Sequence, residues 1–505
     1  MRLSRESALA LAVILGFAAA RIVFALLLDF GIDEAYTLTL ARRLNWSYFD
    51  HPPLHQWIAH FAALAFGENA AVRLPFIALF AATGWLVFAL TRDLFGAVAG
   101  LWATFALNAT PFFFASAGGW IVPDGTLAFA LAASAYALTK LLFAPAPRVW
   151  PLWLLAGLFI GLAGLSKYNA VFFPLGLLLY LVLSPNQRRW FFHPAPYGAA
   201  LLALMLVAPV VIWNAENDWV SFLFQSARGA PSPHWRPAQV GAMLLSEIAL
   251  LSPWIFISLA AGLFAAFRNI ARGEDDGRRL LLLCLALPPI VLFTVTPLWG
   301  ARGLPHWPMP GWLFVYPLLG AWVSESASRP QWRRPFVIAA TAALALIAAL
   351  AIAQARTGFL IAFFPRLGDG ADPTLESLSW SKVRESPVLR DHGEAFIVAT
   401  KWTEAGKIAQ ALGPERPVTV FSDDPRGFAF LADPAAFVGK DAVIIVSQKR
   451  LAETIAALTP YFATLGDTQS VTLGRDGRDE IKLALIPARR LLRAYPLPYP
   501  RRASP

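Results

Sequence analysis

Charge is scarce in this chain. Only 15% of its 505 residues are Asp, Glu, Lys or Arg, where a soluble globular domain carries about a quarter. Hydrophobic residues make up 57%, and the mean hydropathy is +0.55. Those values exclude an ordinary soluble domain. Cysteine is almost absent: Cys284 stands alone in an apolar run. No intrachain disulfide can form, and the residue reads as a buried structural thiol. A Walker-type glycine-rich loop is missing, so nothing points to a nucleotide-phosphate cradle. No internal repeat of fixed period is visible.

What the chain has in plenty is long apolar runs and aromatics, with 38 Phe and 19 Trp. That load suits a lipid boundary and its interfacial belts. A helix needs about twenty apolar residues to cross the hydrocarbon core. Candidate spans run over 7–29, 73–91, 97–115, 124–143, 150–166, 168–184, 197–214, 238–267, 280–297, 308–323 and 335–355. The first reads as a retained helix rather than a cleaved signal, because its apolar run continues to Leu28 and many spans follow. The fold class expected is therefore a polytopic α-helical membrane protein with about eleven spans. The net charge of +10 sits largely in short loops, as topology signals do, and gives no reason to expect a nucleic-acid partner. With the N-terminus inside, the Lys/Arg excess falls in the inside segments, among them Arg2, Arg5, Arg92, Arg188, Arg189, Arg268 and Arg272.

Three regions emerge: a membrane part over 1–356, a small α/β domain over 357–488, and a Pro/Arg-rich tail over 489–505 that reads as disordered. In the second, β-rich runs at 395–399, 417–421 and 442–446 alternate with helical stretches at 402–412 and 449–458. An odd number of spans puts this domain outside, in the periplasm of a Gram-negative host, with the spans in its inner membrane. The long first outside loop, about 30–72, contains a short amphipathic helix around His55-Gln56-Trp57-Ile58-Ala59-His60-Phe61, started by Pro52-Pro53.

Polar chemistry gathers on that outside face. Asp33 and Glu34 follow the first span within Gly31-Ile32-Asp33-Glu34-Ala35-Tyr36. Asp50 and His51 sit in Tyr48-Phe49-Asp50-His51-Pro52-Pro53-Leu54, and Asp124 opens the fourth span after Pro123. Taken singly, each acid also reads as a solvated interfacial group or a helix cap. Lys167 occupies a tight turn between two spans, Arg228 lies in Phe224-Gln225-Ser226-Ala227-Arg228-Gly229, and Arg302 and His306 flank Gly303-Leu304-Pro305. Singly, these cations also read as interfacial anchors. Together, acids and cations at one membrane surface suit a phosphorylated lipid: cations hold the phosphate, and a carboxylate takes a proton from an attacking hydroxyl.

At these residues the chain resembles the GT-C membrane glycosyltransferases, in particular glycosyltransferase family 39, which includes protein O-mannosyltransferases and lipid A aminoarabinose transferases. The resemblance rests on Asp33-Glu34-Ala35-Tyr36, on Tyr48 to Leu54 with Trp57, on Gly67 and Val72-Arg73-Leu74, on Pro123-Asp124, on Gly164-Leu165-Ser166-Lys167-Tyr168 and on Pro305-His306-Trp307-Pro308. It covers about residues 7–356. It implies transfer of a hexosyl or pentosyl group from a polyprenyl-phosphate donor to a hydroxyl of a lipid or glycan, less readily a protein. It also implies catalytic roles for Asp33 and Asp124. Donor phosphate and sugar contacts would come from Glu34, Tyr36, His51, Lys167, Arg228, Arg302 and His306. Some relatives hold a divalent metal near the acid before the Pro-Pro pair, which here is Asp50. Where relatives often carry Glu-Lys before that pair, this chain has Asp50-His51, so the phosphate clamp at this position depends on pH.

A transporter or lipid flippase would share the many spans and intramembrane charges. It should show interrupted helices at the midplane in two related halves. The charges here lie at one surface and no halves are apparent. A receptor whose C-terminal domain senses a partner is a third alternative.

Overall fold

The long apolar runs fold as helices, because backbone N–H and C=O groups facing lipid can pair only within their own segment. The computed structural model describes residues 4–229, 235–300, 303–325, 333–369 and 372–499. Helix α1 (Arg5–Leu27) is capped by Ser4, which accepts from the Ser7 amide. Two short helices, α2 (Ile32–Ala41) and α3 (Leu54–Phe66), form the first loop. Pro53 precedes α3, as the proline pair predicts, whereas α2 is not legible from the sequence pattern. The chain re-enters the bundle as α4 (Leu74–Phe95) and turns at Gly96 (φ 94°) into α5 (Ala97–Asn108).

After α5 the helix breaks. The turns α6 (Pro111–Phe114) and α7 (Ser116–Gly119) leave it at 82°. Pro111 cannot donate a backbone hydrogen bond, and Arg21 of α1 repairs the break. Its guanidinium, 2% exposed, donates to the carbonyls of Phe113 (3.3 Å) and Phe114 (3.0 Å) and to Asn108 Oδ1 (3.0 Å). It also faces the Phe80 ring at 4.6 Å. A buried cation inside the bundle is tolerated because carbonyls and rings surround it.

Helix α8 (Pro123–Phe143) is the most enclosed span. It packs on α9 (Val149–Gly164), followed by α10 (Phe172–Leu183) and α11 (Pro194–Glu216). Gly157 and Gly161 let α9 approach Ala199 and Ala203 of α11, the small-residue packing expected in lipid. Helix α12 (Val220–Gly229) follows, then α13 (Pro237–Leu251) and α14 (Pro253–Ala271). The expected single span 238–267 is thus two helices, broken at Ser252 (φ 69°) before Pro253. The bundle closes with α15 (Arg278–Val295), α16 (Met309–Trp312), α17 (Tyr316–Ser324) and α18 (Arg333–Thr357). Among the described residues seven helices are long and apolar enough to cross a membrane, and nine spans result if two bent pairs count as one each. The expected eleven is not reached on those criteria, because α9 is only 16 residues long and the run 308–323 divides into α16, a three-residue turn and the nine-residue α17.

The C-terminal unit is a mixed α/β domain. After α19 (Pro387–Asp391) come β1 (Phe396–Ala399), α20 (Trp402–Leu412), β2 (Val418–Val420), β3 (Ala442–Ser447), α21 (Leu451–Leu458), β4 (Phe462–Leu465), β5 (Gln469–Arg475) and β6 (Arg478–Leu491). The sheet order is β2-β1-β3-β6-β4, with β5 paired to β6. The three apolar runs seen in the sequence are the parallel strands β2, β1 and β3. Asp476 (φ 47°) and Gly477 (φ 74°) turn β5 into β6, a hairpin the sequence reading omits. The expected disordered tail from 489 is corrected as far as Tyr499, and its last residues, 500–505, lie outside the described residues. Strand β6 continues to Leu491, Tyr495 stacks on Phe421 at 4.6 Å, and Tyr499 packs on Phe49 at 4.5 Å.

This domain docks on α2. Gly406 of α20 lies against the Tyr36 backbone, where a Cβ would meet the Tyr36 amide nitrogen at 2.9 Å. Arg42 pairs with both Glu68 oxygens at 2.8 Å and donates to the carbonyls of Ala409 and Gly413. Lys407 Nζ donates to the Phe30 carbonyl (2.6 Å) and to the Glu376 carbonyl (3.0 Å). Burial holds the Lys407 pKa down at about 8.

Candidate active site

The site forms where the first loop meets four other segments. Leu54 donates its amide to the Leu165 carbonyl (2.9 Å), which ties the start of α3 to the tight turn after α9. Gln225 Nε2 on α12 reaches the Asp50 carbonyl (2.8 Å), and Ser221 Oγ reaches that of Tyr48 (3.3 Å). Asn169 Nδ2 contacts the Trp307 carbonyl (3.4 Å). The Asp424–Phe428 turn of the C-terminal domain closes over Tyr36.

Asp33 stands in the first turn of α2, open to the resulting cleft. Among the described residues its carboxylate has neither a hydrogen bond nor an ion pair. Protein surrounds it on its other sides, and that loss of water raises its pKa above the usual carboxylate range. His51 and Arg426 oppose the rise, while Asp50 and Asp124 add to it. A free carboxylate with a raised pKa is the form a general base takes.

Asp50 is buried. Its Oδ1 accepts from the Tyr36 hydroxyl (3.2 Å) and lies 3.5 Å from His51 Nδ1, and its Oδ2 lies 3.7 Å from Arg426 Nη1. Burial works against ionisation, yet His51 and Arg426 prevail and hold the carboxyl below the usual range. The Tyr36 hydroxyl also accepts from the Gly427 amide (2.9 Å). The residues at Asp50 do not fit a resident metal. Among the described residues no three His, Cys, Asp or Glu side chains converge to hold one, and a guanidinium and a phenol occupy the approaches to Asp50.

Asp124, at the start of α8, forms a buried ion pair with Lys167 Nζ at 2.8 Å. His306 lies within electrostatic reach of both. Burial, with Lys167 next, lowers its pKa to about 3, so it is a neutral imidazole. Arg228 is half-buried between the rings of Phe224 (5.5 Å) and Trp307 (4.9 Å).

Glu34 is corrected. It does not face the cleft but forms a fork with Arg73 (2.7 and 2.6 Å), and it accepts from the amides of Gly31 (2.9 Å) and Ile121 (3.2 Å). Arg73 in turn caps the end of α1 through the carbonyls of Ala25, Leu28 and Asp29. Glu34 therefore fastens the first loop to α1 and to the turn before α8, and has no oxygen left for a donor. Arg302 lies outside the described residues. The structure thus brings together Asp33, Tyr36, Asp50, His51, Asp124, Lys167, Arg228 and His306.

Two site residues escape the sequence reading. His55, seen only as part of an amphipathic helix, is buried beside His51 with ring centres 5.6 Å apart and no partner for Nδ1. Burial, then His51, holds its pKa well below the histidine norm. Its one available signal was a four-residue spacing from His51. The other is Arg426, whose position in a different domain leaves no local signal.

The structure matches ArnT from Cupriavidus metallidurans, bound to undecaprenyl phosphate, with a TM-score of 0.63 over 94% of this chain and 97% of that one, at 16% identity. The apo state of that protein matches equally well. This is a GT-C membrane glycosyltransferase fold. A family model described as dolichyl-phosphate-mannose-protein mannosyltransferase matches residues 50–213. That GT-C segment holds Asp50, Asp124 and Lys167. The lipid A galacturonosyltransferase RgtD of Rhizobium johnstonii is 26% identical over 294 residues, 56% of this chain. The match spans 59% of that relative's length.

Proposed function

We propose that this multi-pass membrane protein transfers a sugar from a polyprenyl-phosphate donor to a hydroxyl of a lipid or glycan acceptor, on the periplasmic side of a bacterial inner membrane. The observation that carries this reading is the convergence at Asp33, a carboxylate with neither a hydrogen bond nor an ion pair among the described residues, within electrostatic reach of His51, Asp50 and Asp124 from the membrane part and of Arg426 from the C-terminal domain. The excess of Lys and Arg in the opposite loops supports the outward orientation.

The residues divide the chemistry. Asp33 accepts the proton of the acceptor hydroxyl. The acceptor oxygen bonds to the anomeric carbon, the bond from that carbon to the phosphate oxygen breaks, and its electron pair leaves with the polyprenyl phosphate. The leaving group gains one negative charge, which Lys167 and Arg228 offset. Asp124 is a positioning residue, since its 2.8 Å pair with Lys167 fixes the ammonium and leaves no free base. The Tyr36–Asp50 hydrogen bond ties α2, which carries Asp33, to the loop before α3. His306, neutral, offers one N–H rather than a charge. The lipid A activity of the Rhizobium relative makes phosphorylated glycolipids the first acceptors to try.

Purified protein in detergent separates transfer from transport, because no closed compartment is present. Appearance of glycosylated acceptor from an undecaprenyl-phosphate sugar supports the proposal. A deletion strain whose envelope glycolipids keep every sugar contradicts it.

A further inference from the structure

The C-terminal domain presents one residue to the cleft with unusual commitment. Arg426 has φ +47°, a left-handed conformation that costs a non-glycine residue about 1–2 kcal/mol. The next residue, Gly427, is closely packed: a Cβ there would lie 2.7 Å from both the Tyr36 hydroxyl and Leu40 Cδ1, so those side chains would have to shift. Its amide donates to that hydroxyl at 2.9 Å. Trp402 supports the guanidinium face at 4.0 Å. Strain, a closely packed glycine and a stacked tryptophan all aim one guanidinium at the cleft.

That guanidinium has donors to spare. No side-chain N–H of Arg426 forms a hydrogen bond among the described residues. Its nearest carboxylate oxygens, on Asp424 and Asp50, stand at 3.5 and 3.7 Å, beyond good hydrogen-bond range, and its Nε is buried without a partner. Among the described residues Arg228 is in the same condition, with rings as its contacts. Both guanidinium carbons lie 5.5 Å from the centre of the Phe224 ring. Two like charges thus share one aromatic ring, and Arg426 disfavours the charged form of Arg228, second only to burial. Such a pair lacks an anion with several acceptor oxygens.

We propose that Arg426 of the C-terminal domain and Arg228 of α12 together clamp the phosphate of the polyprenyl donor. The assignment rests on the donor reading above and adds a second domain to the active site. Lipid access favours the donor over a soluble anion. Trp219, Phe222 and Leu223, 46%, 37% and 59% exposed, line the start of the same helix, an apolar approach for an isoprenoid tail ending at Arg228. On bond cleavage the phosphodiester monoanion becomes a phosphomonoester dianion, and two guanidinium forks match that added charge.

The test measures equilibrium binding of undecaprenyl phosphate and of undecaprenol to the purified full-length protein, wild type and variants. Wild type is expected to prefer the phosphate. Arg426→Gln is expected to weaken phosphate binding about tenfold or more, a charge-assisted interaction being worth about 1.5–3 kcal/mol, and to leave undecaprenol binding unchanged. Arg426→Lys, which keeps the charge but not the fork, should recover part of the preference and controls for folding. An unchanged phosphate-to-alcohol ratio in Arg426→Gln overturns the assignment alone. So does a variant in which only the acceptor KM rises, which would give the arginine to an acceptor phosphate. A wild-type protein without phosphate preference overturns the donor reading and this assignment with it.

Discussion

At the scale of single residues, the site is a set of acids with different fates. Asp33 is exposed and has no partner among the described residues, Asp50 is held ionised, Asp124 is tied to Lys167, and Glu34 is locked in structure. If Asp33 is the base it must be ionised, so kcat/KM falls as pH drops through its pKa. That pKa is raised, so the acid limb should lie above about 3.9, the value of an ordinary aspartate. His306, neutral down to about pH 3, should contribute no limb between pH 5 and 8. A pH–rate profile of wild type against His306→Gln checks both. The Glu34–Arg73 pair is 2% and 3% exposed. Removing one partner strands a buried charge, which costs about 3–5 kcal/mol. Arg73→Leu should therefore lower the unfolding temperature markedly in detergent; a donor-contact role for Glu34 would instead leave stability intact and shift only KM. The motif residues Asp33, Asp50, Asp124 and Lys167 were legible because residue type and position at span ends already placed them on one face. Glu34 was not, because its partner lies 39 residues away and the sequence shows no difference between a paired and a free acid.

At the scale of elements, the helix α3, the start of α20 and the three parallel strands follow from periodicity and punctuation. The misses have physical reasons. Helix α2 has no separate apolar face to read, since eight of its ten residues are buried between the bundle and α20. Ser252-Pro253 breaks a run that is apolar throughout, so composition alone joins α13 to α14. Strand β6 ends in Pro487 and Arg489-Arg490, a composition that reads as a tail, yet it pairs with β3 on one side and β5 and β4 on the other. The Arg426–Gly427 turn depends on a contact between residues 391 apart in sequence. Gly427→Ala is predicted to wedge this turn away from Tyr36 and Leu40, at a cost of about 1–3 kcal/mol for overpacking. Hydrogen exchange in α2 and the 424–428 turn should rise, and transfer should fall. Unchanged exchange in both segments would count against the docked turn.

At the scale of the whole molecule, the membrane bundle and the C-terminal domain enclose one cleft between them. The bundle supplies the acid–cation pair Asp124–Lys167 and Arg228, the first loop supplies Asp33 and Asp50, and the C-terminal domain supplies Arg426. This division explains why the polar residues sit at one surface rather than along a path through the bundle. Under the proposed function, it makes the spans a scaffold that brings a lipid-linked substrate to a fixed site. The central claim is that Asp33 accepts the proton in sugar transfer. The most direct measurement is single-turnover transfer from an undecaprenyl-phosphate sugar by purified wild type and Asp33→Asn, at matched folding and donor binding. A loss of about 10²–10⁴-fold in rate is expected, with donor affinity retained. Transfer by Asp33→Asn at the wild-type rate would contradict it.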